Sequence, residues 1–129
     1  LHIVREAIRH LVTHYPQVRT IGAVATSGTL QSGLIANICA EYDLELLTPE
    51  ASIQADKVMA AIYRIKAEGA SEASASLVRE AAGNLIGQGA QAIIAGCTEI
   101  PLVLRDGDIA VPVLDPISIL AERALAEAV

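Results

Sequence analysis

Tryptophan and phenylalanine are absent from this sequence, and tyrosine occurs only at positions 15, 42 and 63. A core without large aromatic rings must rest on Leu, Ile, Val and Ala. Long Ala-rich helices against Ile/Val strands are typical of α/β proteins. No apolar run is long enough to span a bilayer. No signal peptide is visible, because Leu1 leads directly into a mixed polar and apolar stretch. Positive charge is scarce: the formal net charge is -6, which disfavours nucleic acid and anionic membranes as partners. The acidic residues are scattered, so no acidic tail is implied. Cysteine occurs twice, as Cys39 and Cys97, in unlike contexts. That argues against a disulfide framework and fits a reducing, cytoplasmic setting. Neither a Walker-type phosphate loop nor a GxGxxG dinucleotide fingerprint occurs. No initiator Met is present, so the chain reads as a fragment or trimmed product. Its 129 residues are ordinary for one compact domain and enough to bury a core.

Hydrophobic periodicity supplies the elements. Ile3, Val4, Ile8, Leu11, Val12 and Tyr15 recur at helical spacing over 1–15 and stop before Pro16. Residues 20–25 read as a short buried strand, 26–29 as a turn, 30–42 as a helix and 44–47 as a second strand. Two helices follow. One spans about 50–67, with Ile53, Val58, Met59, Ile62 and Ile65 as its apolar face, and ends before Gly69. The other spans about 71–87, opened by Ser71, with Leu77, Val78, Leu85 and Ile86 inward. Residues 92–96 form an entirely apolar, central strand. A short helix begins in 98–104, and 105–108 is a turn. Residues 109–114 read as a fourth strand, which Pro112 places at an edge. Residues 116–129 form the closing helix, with Pro116 in its first turn.

Such alternation predicts an α/β fold: one doubly wound, four-stranded parallel sheet flanked by helices. The expected strand order is 2-1-3-4. In that order the topological switch lies between the first and third strands, where open parallel sheets bind ligands at the carboxyl ends. The segments leaving those ends are 26–29 and 97–99. The second of the paired helices must descend from the carboxyl edge, so its start near 69–71 lies beside those loops. Lys66, just before that junction, can point into the crevice. The first of the pair must then lie across the top of the sheet, or bend.

Cys97 is the strongest chemical candidate. It follows a buried strand and precedes a helix in Ala95-Gly96-Cys97-Thr98-Glu99-Ile100-Pro101. A thiol there meets unpaired amides and the positive end of a helix dipole, which favour thiolate. Gly96 would let the backbone turn tightly and a ligand approach. The alternative is an inert buried cysteine. Thr26-Ser27-Gly28-Thr29 offers amides and hydroxyls to an anion such as a carboxylate; the plainer reading is an N-cap with a glycine turn. Lys66 either neutralises a carboxylate or is simply solvated at a helix end. Cys39 lies in an apolar helical run and reads as structural. His2, Glu6, His10 and His14 are spaced by four, which a polar outer helix face explains better than metal ligation. Asp115 is expected to cap the last helix.

Three pieces of the sequence resemble one family. They are Ala25-Thr26-Ser27-Gly28-Thr29-Leu30-Gln31-Ser32-Gly33, Ala95-Gly96-Cys97-Thr98-Glu99-Ile100 and Val113-Leu114-Asp115-Pro116. Together they look like the second, C-terminal lobe of aspartate/glutamate racemases. Ile62-Tyr63-Arg64-Ile65-Lys66-Ala67-Glu68-Gly69 resembles that family's lysine-bearing stretch. The resemblance covers nearly the whole chain, 1–129, as one lobe. It implies two similar α/β lobes around a cleft, each giving one cysteine. One thiolate removes the α-proton of an amino acid while the opposite thiol protonates the other face, with neither pyridoxal phosphate nor a metal. Carried over residue by residue, Cys97 is one of the acid/base pair and Thr98 holds the substrate. Thr29 and Lys66 bind carboxylate, with Thr26 assisting in the same loop. The partners implied are a small-molecule amino-acid substrate, the first lobe of the same polypeptide, and further copies of it in a homo-oligomer.

One departure is large: the first lobe, with its Cys-Asn-Thr segment, is not in this sequence. Cys39 cannot stand in for that segment, because Ala40 and Glu41 follow it. The isolated chain is therefore expected to lack a complete site. Two other readings stay open. One is a related single-cysteine isomerase or decarboxylase. The other is a non-catalytic carboxylate-binding or assembly module.

Overall fold

The computed structural model describes residues 3–128. Leu1, His2 and Val129 lie outside the described residues, and with them the first member of the histidine row and the outermost positions of the two helices expected over 1–15 and 116–129. Helix α1 (Ile3–His14) leads into β1 (Thr20–Val24). Helices α2 (Ser27–Gln31) and α3 (Leu34–Glu41) follow, then β2 (Glu45–Leu47). A continuous helical stretch comes next: α4 (Ala51–Ile53), a π-helical turn (Gln54–Met59) and α5 (Ala60–Glu68). Helix α6 (Glu72–Gly87) leads to β3 (Ile93–Ala95), a 3-10 turn (Ile100–Leu102), β4 (Val113–Leu114) and α7 (Pro116–Ala128).

The sheet is parallel throughout and ordered β2-β1-β3-β4, as the alternation predicts. Both of its faces are covered, and the period of two along each strand divides the core cleanly. Val24, Ile93, Ala95 and Val113 face the layer of Val58, Ile62, Ile65, Val78 and Leu85. Ile21, Ala23, Ala92, Ile94 and Leu114 face the layer of Ile8, Leu11, Ile35 and Ile38. At Gly22 the sheet and α6 approach closely: an added Cβ would meet Ile93 Cδ1 and Leu85 Cδ1, each at 3.0 Å. Leu85 is completely buried there, so Leu85→Ala would cost about 2–5 kcal/mol.

Several local expectations are corrected. The helix expected over 30–42 is two helices, because Gly33 adopts φ +76° and breaks the run. The expected turn over 26–29 is instead the N-cap and first turn of α2. The fourth strand is not 109–114 but only Val113–Leu114. The preceding residues are held in turns: Asp108 Oδ2 accepts from Arg105 N, and Asp106 Oδ1 accepts from Val113 N. It does lie at the edge, where the Pro112 carbonyl accepts from Ile93 N at 2.9 Å. Glu6 is not on a polar outer face. It is 5% exposed and paired with Arg9 at 3.5 Å and Arg123 at 2.6 Å, joining α1 to α7. His10 and His14 do lie on one helix face, with ring centroids 4.3 Å apart and planes tilted by 38°.

Ser71 opens α6 through a reciprocal cap: its Oγ accepts from Ser74 N at 3.2 Å, and Ser74 Oγ accepts from Ser71 N at 3.1 Å. Such a cap is worth about 1 kcal/mol. Asp115 caps α7, accepting from Ile117 N at 3.1 Å and Ser118 Oγ at 2.8 Å. No helix among the described residues is long and apolar enough to cross a membrane.

Candidate active site

The carboxyl ends of β1 and β3 bring the two motif loops side by side. Val24 pairs with Ala95, and one residue further on Gly96 N–H donates to the Val24 carbonyl at 2.9 Å. A Cβ on Gly96 would lie 2.6 Å from Ala25 Cβ. The glycine is thus required by the close approach of the two strand ends. The turn itself does not need it, since Gly96 is not among the positive-φ glycines.

Cys97 is half-buried at this junction, packed against the core cluster that fills this face of the sheet. Burial pushes its thiol above the ordinary value. The backbone N–H groups of Ile100 and Glu99 pull it back down, the Glu99 carboxylate adds a smaller push upward, and the Lys66 charge pulls downward. The amide donors and cation expected from the sequence are therefore present, yet desolvation outweighs them and the thiol form is favoured. Lys66 is exposed late on α5 and forms no ion pair among the described residues, whereas Lys57 on the same stretch is paired with Glu80 at 3.3 Å. Its electrostatic effect on Cys97 ties α5 to the crevice.

The loop after β1 satisfies much of its own polarity. Thr26 Oγ1 accepts from Thr29 N at 3.2 Å, and the two threonine hydroxyls lie 2.8 Å apart. Ser27 N–H donates to Met59 Sδ at 3.4 Å, and Leu30 N–H to the Thr26 carbonyl at 3.1 Å. These amides are therefore not all open to an anion, as the sequence alone implied. One hydroxyl hydrogen of the Thr26–Thr29 pair is left over for a ligand, since two hydroxyls share one hydrogen bond. Thr98 stands exposed on the neighbouring loop, its Oγ1 donating to Glu99 Oε2 at 2.9 Å. The structure thus gathers Cys97, Thr98, Thr26 and Thr29 at one edge, with Lys66 within electrostatic reach. Cys39 packs into the opposite core layer from Cys97: it is 1% exposed within α3, and burial pushes its thiol up to about 11.

Two residues stand out that motif reading passed over. Glu99 binds Thr98 and opposes Lys66 at the thiol. Gln54 is buried, and its Nε2 donates to the Ala25 carbonyl at 2.9 Å and Ser27 Oγ at 3.3 Å. Its Oε1 is a buried atom without a partner, a cost of about 1–3 kcal/mol. A signal for it existed: Gln54 stands four and eight residues before Val58 and Ile62, a lone polar group on the apolar stripe. Gln54 and Met59 also line a cavity of about 640 Å³ with Ser27, Leu30, Pro49 and Tyr63. No group of three or more His, Cys, Asp or Glu among the described residues is arranged to hold a metal ion.

A family model of Asp/Glu/hydantoin racemases matches residues 1–124. An uncharacterised protein in the pnlA 3′ region of Pectobacterium carotovorum subsp. carotovorum is 30% identical over 100 residues, covering 78% of this chain and 62% of that one. A solved structure of a candidate Asp/Glu racemase from Yersinia pestis superposes with a TM-score of 0.84 at 30% identity, covering 99% of this chain and 55% of its own. An aspartate racemase from Picrophilus torridus shares the fold, with a TM-score of 0.81 at 19% identity, covering 99% of this chain and 52% of its own. The chain therefore spans about half the length of the solved structures it matches.

Proposed function

The chain belongs to the Asp/Glu/hydantoin racemase family, and from that premise we propose that it is one lobe of a cofactor-independent amino-acid racemase in which Cys97 is one of two acid/base cysteines. The observation that carries this reading is the junction itself: a half-buried thiol at the carboxyl end of β3, under the influence of Lys66 and beside the hydroxyl-bearing loop after β1.

In this reading the substrate carboxylate meets Thr26, Thr29 and Lys66, and Thr98 holds the amino acid through its backbone amide or hydroxyl oxygen. A thiolate on one face breaks the α-C–H bond and keeps the proton. The electron pair left on carbon is spread into the carboxylate, whose growing charge Lys66 and the threonine donors oppose. A thiol on the other face then delivers its proton to carbon. Burial raises the Cys97 thiol, which suits it to deliver a proton in one direction, and the same group as thiolate is the base in the reverse direction. The opposing cysteine belongs to a first lobe of the same polypeptide. The reading also includes a reducing cytoplasmic setting, which keeps both thiols free, and a homo-oligomeric assembly that sedimentation of the full-length polypeptide would test.

The test is proton NMR of each enantiomer of aspartate and glutamate in deuterated buffer, which reads loss of the α-proton, with polarimetry of the same samples, which reads racemisation. Full-length wild type, full-length Cys97→Ser and the isolated chain are compared. Racemisation is expected in the first alone. The variant should keep at most solvent exchange of one enantiomer, through the surviving cysteine. Racemisation by the variant at the wild-type rate would remove Cys97 from the chemistry.

The favoured thiol also supports a second reading, in which Cys97 protonates the carbanion left when a substrate loses CO₂. Release of CO₂ from a malonate-type substrate, without racemisation of any amino acid, would select it.

A further inference from the structure

The π-helical turn Gln54–Met59 does something that a plain α-helix in its place would not. In an α-helix, residues five apart point about 140° away from each other. An i→i+5 turn is wider, and it brings such residues to nearly the same face, as residues four apart are in an α-helix. Here the first and last residues of the turn reach the same loop. Gln54 Nε2 donates to the Ala25 carbonyl at 2.9 Å and to Ser27 Oγ at 3.3 Å. Met59 Sδ accepts from Ser27 N–H at 3.4 Å. Ser27 is held by both its backbone and its side chain, and Ala25 by its carbonyl, at the end of β1. The opposite partners within the loop, Thr26 and Thr29, hold each other through their hydroxyls. Gln54 Oε1 is buried without a partner, so the hydrogen bonds of this side chain are the two that its nitrogen makes to the loop. The two contacts made by its nitrogen therefore define its role. From Met59 the helix continues without a break into α5, which carries Lys66.

We propose that this turn is a positioning clamp, which holds the loop at 26–29 in register with Lys66 so that the threonine hydroxyls and the lysine meet the two oxygens of one carboxylate. This rests on the reading above, in which that loop binds the substrate carboxylate. Gln54 and Met59 touch no substrate; they act through the loop.

The experiment uses the full-length polypeptide with Gln54→Leu, which keeps the bulk and removes both hydrogen bonds, and Met59→Leu, which removes only the sulfur acceptor. Steady-state racemisation and backbone hydrogen exchange read by mass spectrometry are followed together. Gln54→Leu should raise KM about tenfold with kcat within about threefold, the signature of lost ground-state positioning. The peptide covering 26–31 should exchange at least about tenfold faster, while the peptide covering α6 is unchanged. Met59→Leu should show the same pattern at smaller amplitude. Unchanged KM and unchanged exchange at 26–31 in both variants would overturn the clamp. Equal acceleration across the whole chain would also overturn it, because Gln54 would then serve stability in general. Where Gln54→Leu does not fold, Met59→Leu decides by the same two readouts. If the wild type racemises nothing, the functional reading falls, and exchange at 26–31 alone judges the clamp.

Discussion

The two cysteines compare the same side chain in two settings. Cys39 sits in the last turn of α3, 1% exposed among Ile35, Ile38 and Leu44, with its thiol pushed up to about 11 by burial. Cys97 sits where β3 gives way to a loop, half-buried, with its thiol also pushed up by burial but drawn back by two amides and a lysine. Past the first turn of a helix the amides are occupied by the backbone ladder and nothing offsets desolvation. At a strand end they are free to face a side chain. The lesson is that backbone context, more than depth alone, decides whether a buried thiol is inert or tunable.

The widest separation between the two should appear in turnover. Cys97→Ser in the full-length polypeptide is expected to lower racemisation by about 10³-fold or more. Cys39→Ala should leave kcat within about twofold and show its effect in Tm instead. Activity that survives the first change, or disappears with the second in a folded protein, would invert the comparison.

Labelling sharpens it next. At neutral pH, iodoacetamide followed by peptide mass analysis should find Cys97 alkylated about 100-fold faster than Cys39, which reacts only when α3 opens. Equal rates would erase the distinction.

A pH titration of stability isolates the inert member. The folded state holds the Cys39 proton up to about 11, against an ordinary value of 9.0. Between those values the unfolded chain has released its proton and the folded chain has not. Stability is therefore full below about 9 and falls as pH rises towards 11, by about 2–3 kcal/mol from this group. Urea unfolding of wild type and Cys39→Ala across that window measures the difference. A wild-type curve as flat as the variant's would contradict the burial argument.

The smallest effect concerns the tuning of Cys97. Lys66→Met removes an influence that lowers the thiol, so its pKa rises further and its alkylation near neutral pH slows, by roughly twofold given the exposure of the lysine. The gap should close at high salt, and Cys39 should not change. Identical Cys97 rates in both proteins at low salt would detach Lys66 from the site.

Much of the fold was legible because apolar periodicity reports which face of each element is buried. The six apolar residues named over 1–15 all pack into the layer beside Ile21 and Ala23, and Val58, Ile62 and Ile65 pack into the opposite one. The adjacency of the loops after β1 and β3 followed from strand order, since parallel strands joined by right-handed crossovers admit few arrangements. Errors came where a single backbone state or a single distant contact decides. Gly33 breaks a run whose pattern is continuous, and Asp106 and Asp108 shorten the last strand by binding backbone amides. Glu6 reads as an outer-face residue until Arg123 arrives from a helix more than a hundred positions later.

The sequence alone determined the layers, the strand order and the candidates at the sheet's carboxyl edge, because these depend on pattern and connectivity. Tertiary structure decided the state of the site. The net upward shift of Cys97 arises from burial, in competition with the amides of Glu99 and Ile100 in its own loop and with Lys66 from α5. The grip of Gln54 and Met59 on the loop after β1 arises from a π-helical turn whose extra width no apolar spacing announces. Both draw on groups distant in the chain, Lys66 for the thiol and Gln54 and Met59 for the loop, and depend on distances that exist only once the chain has packed.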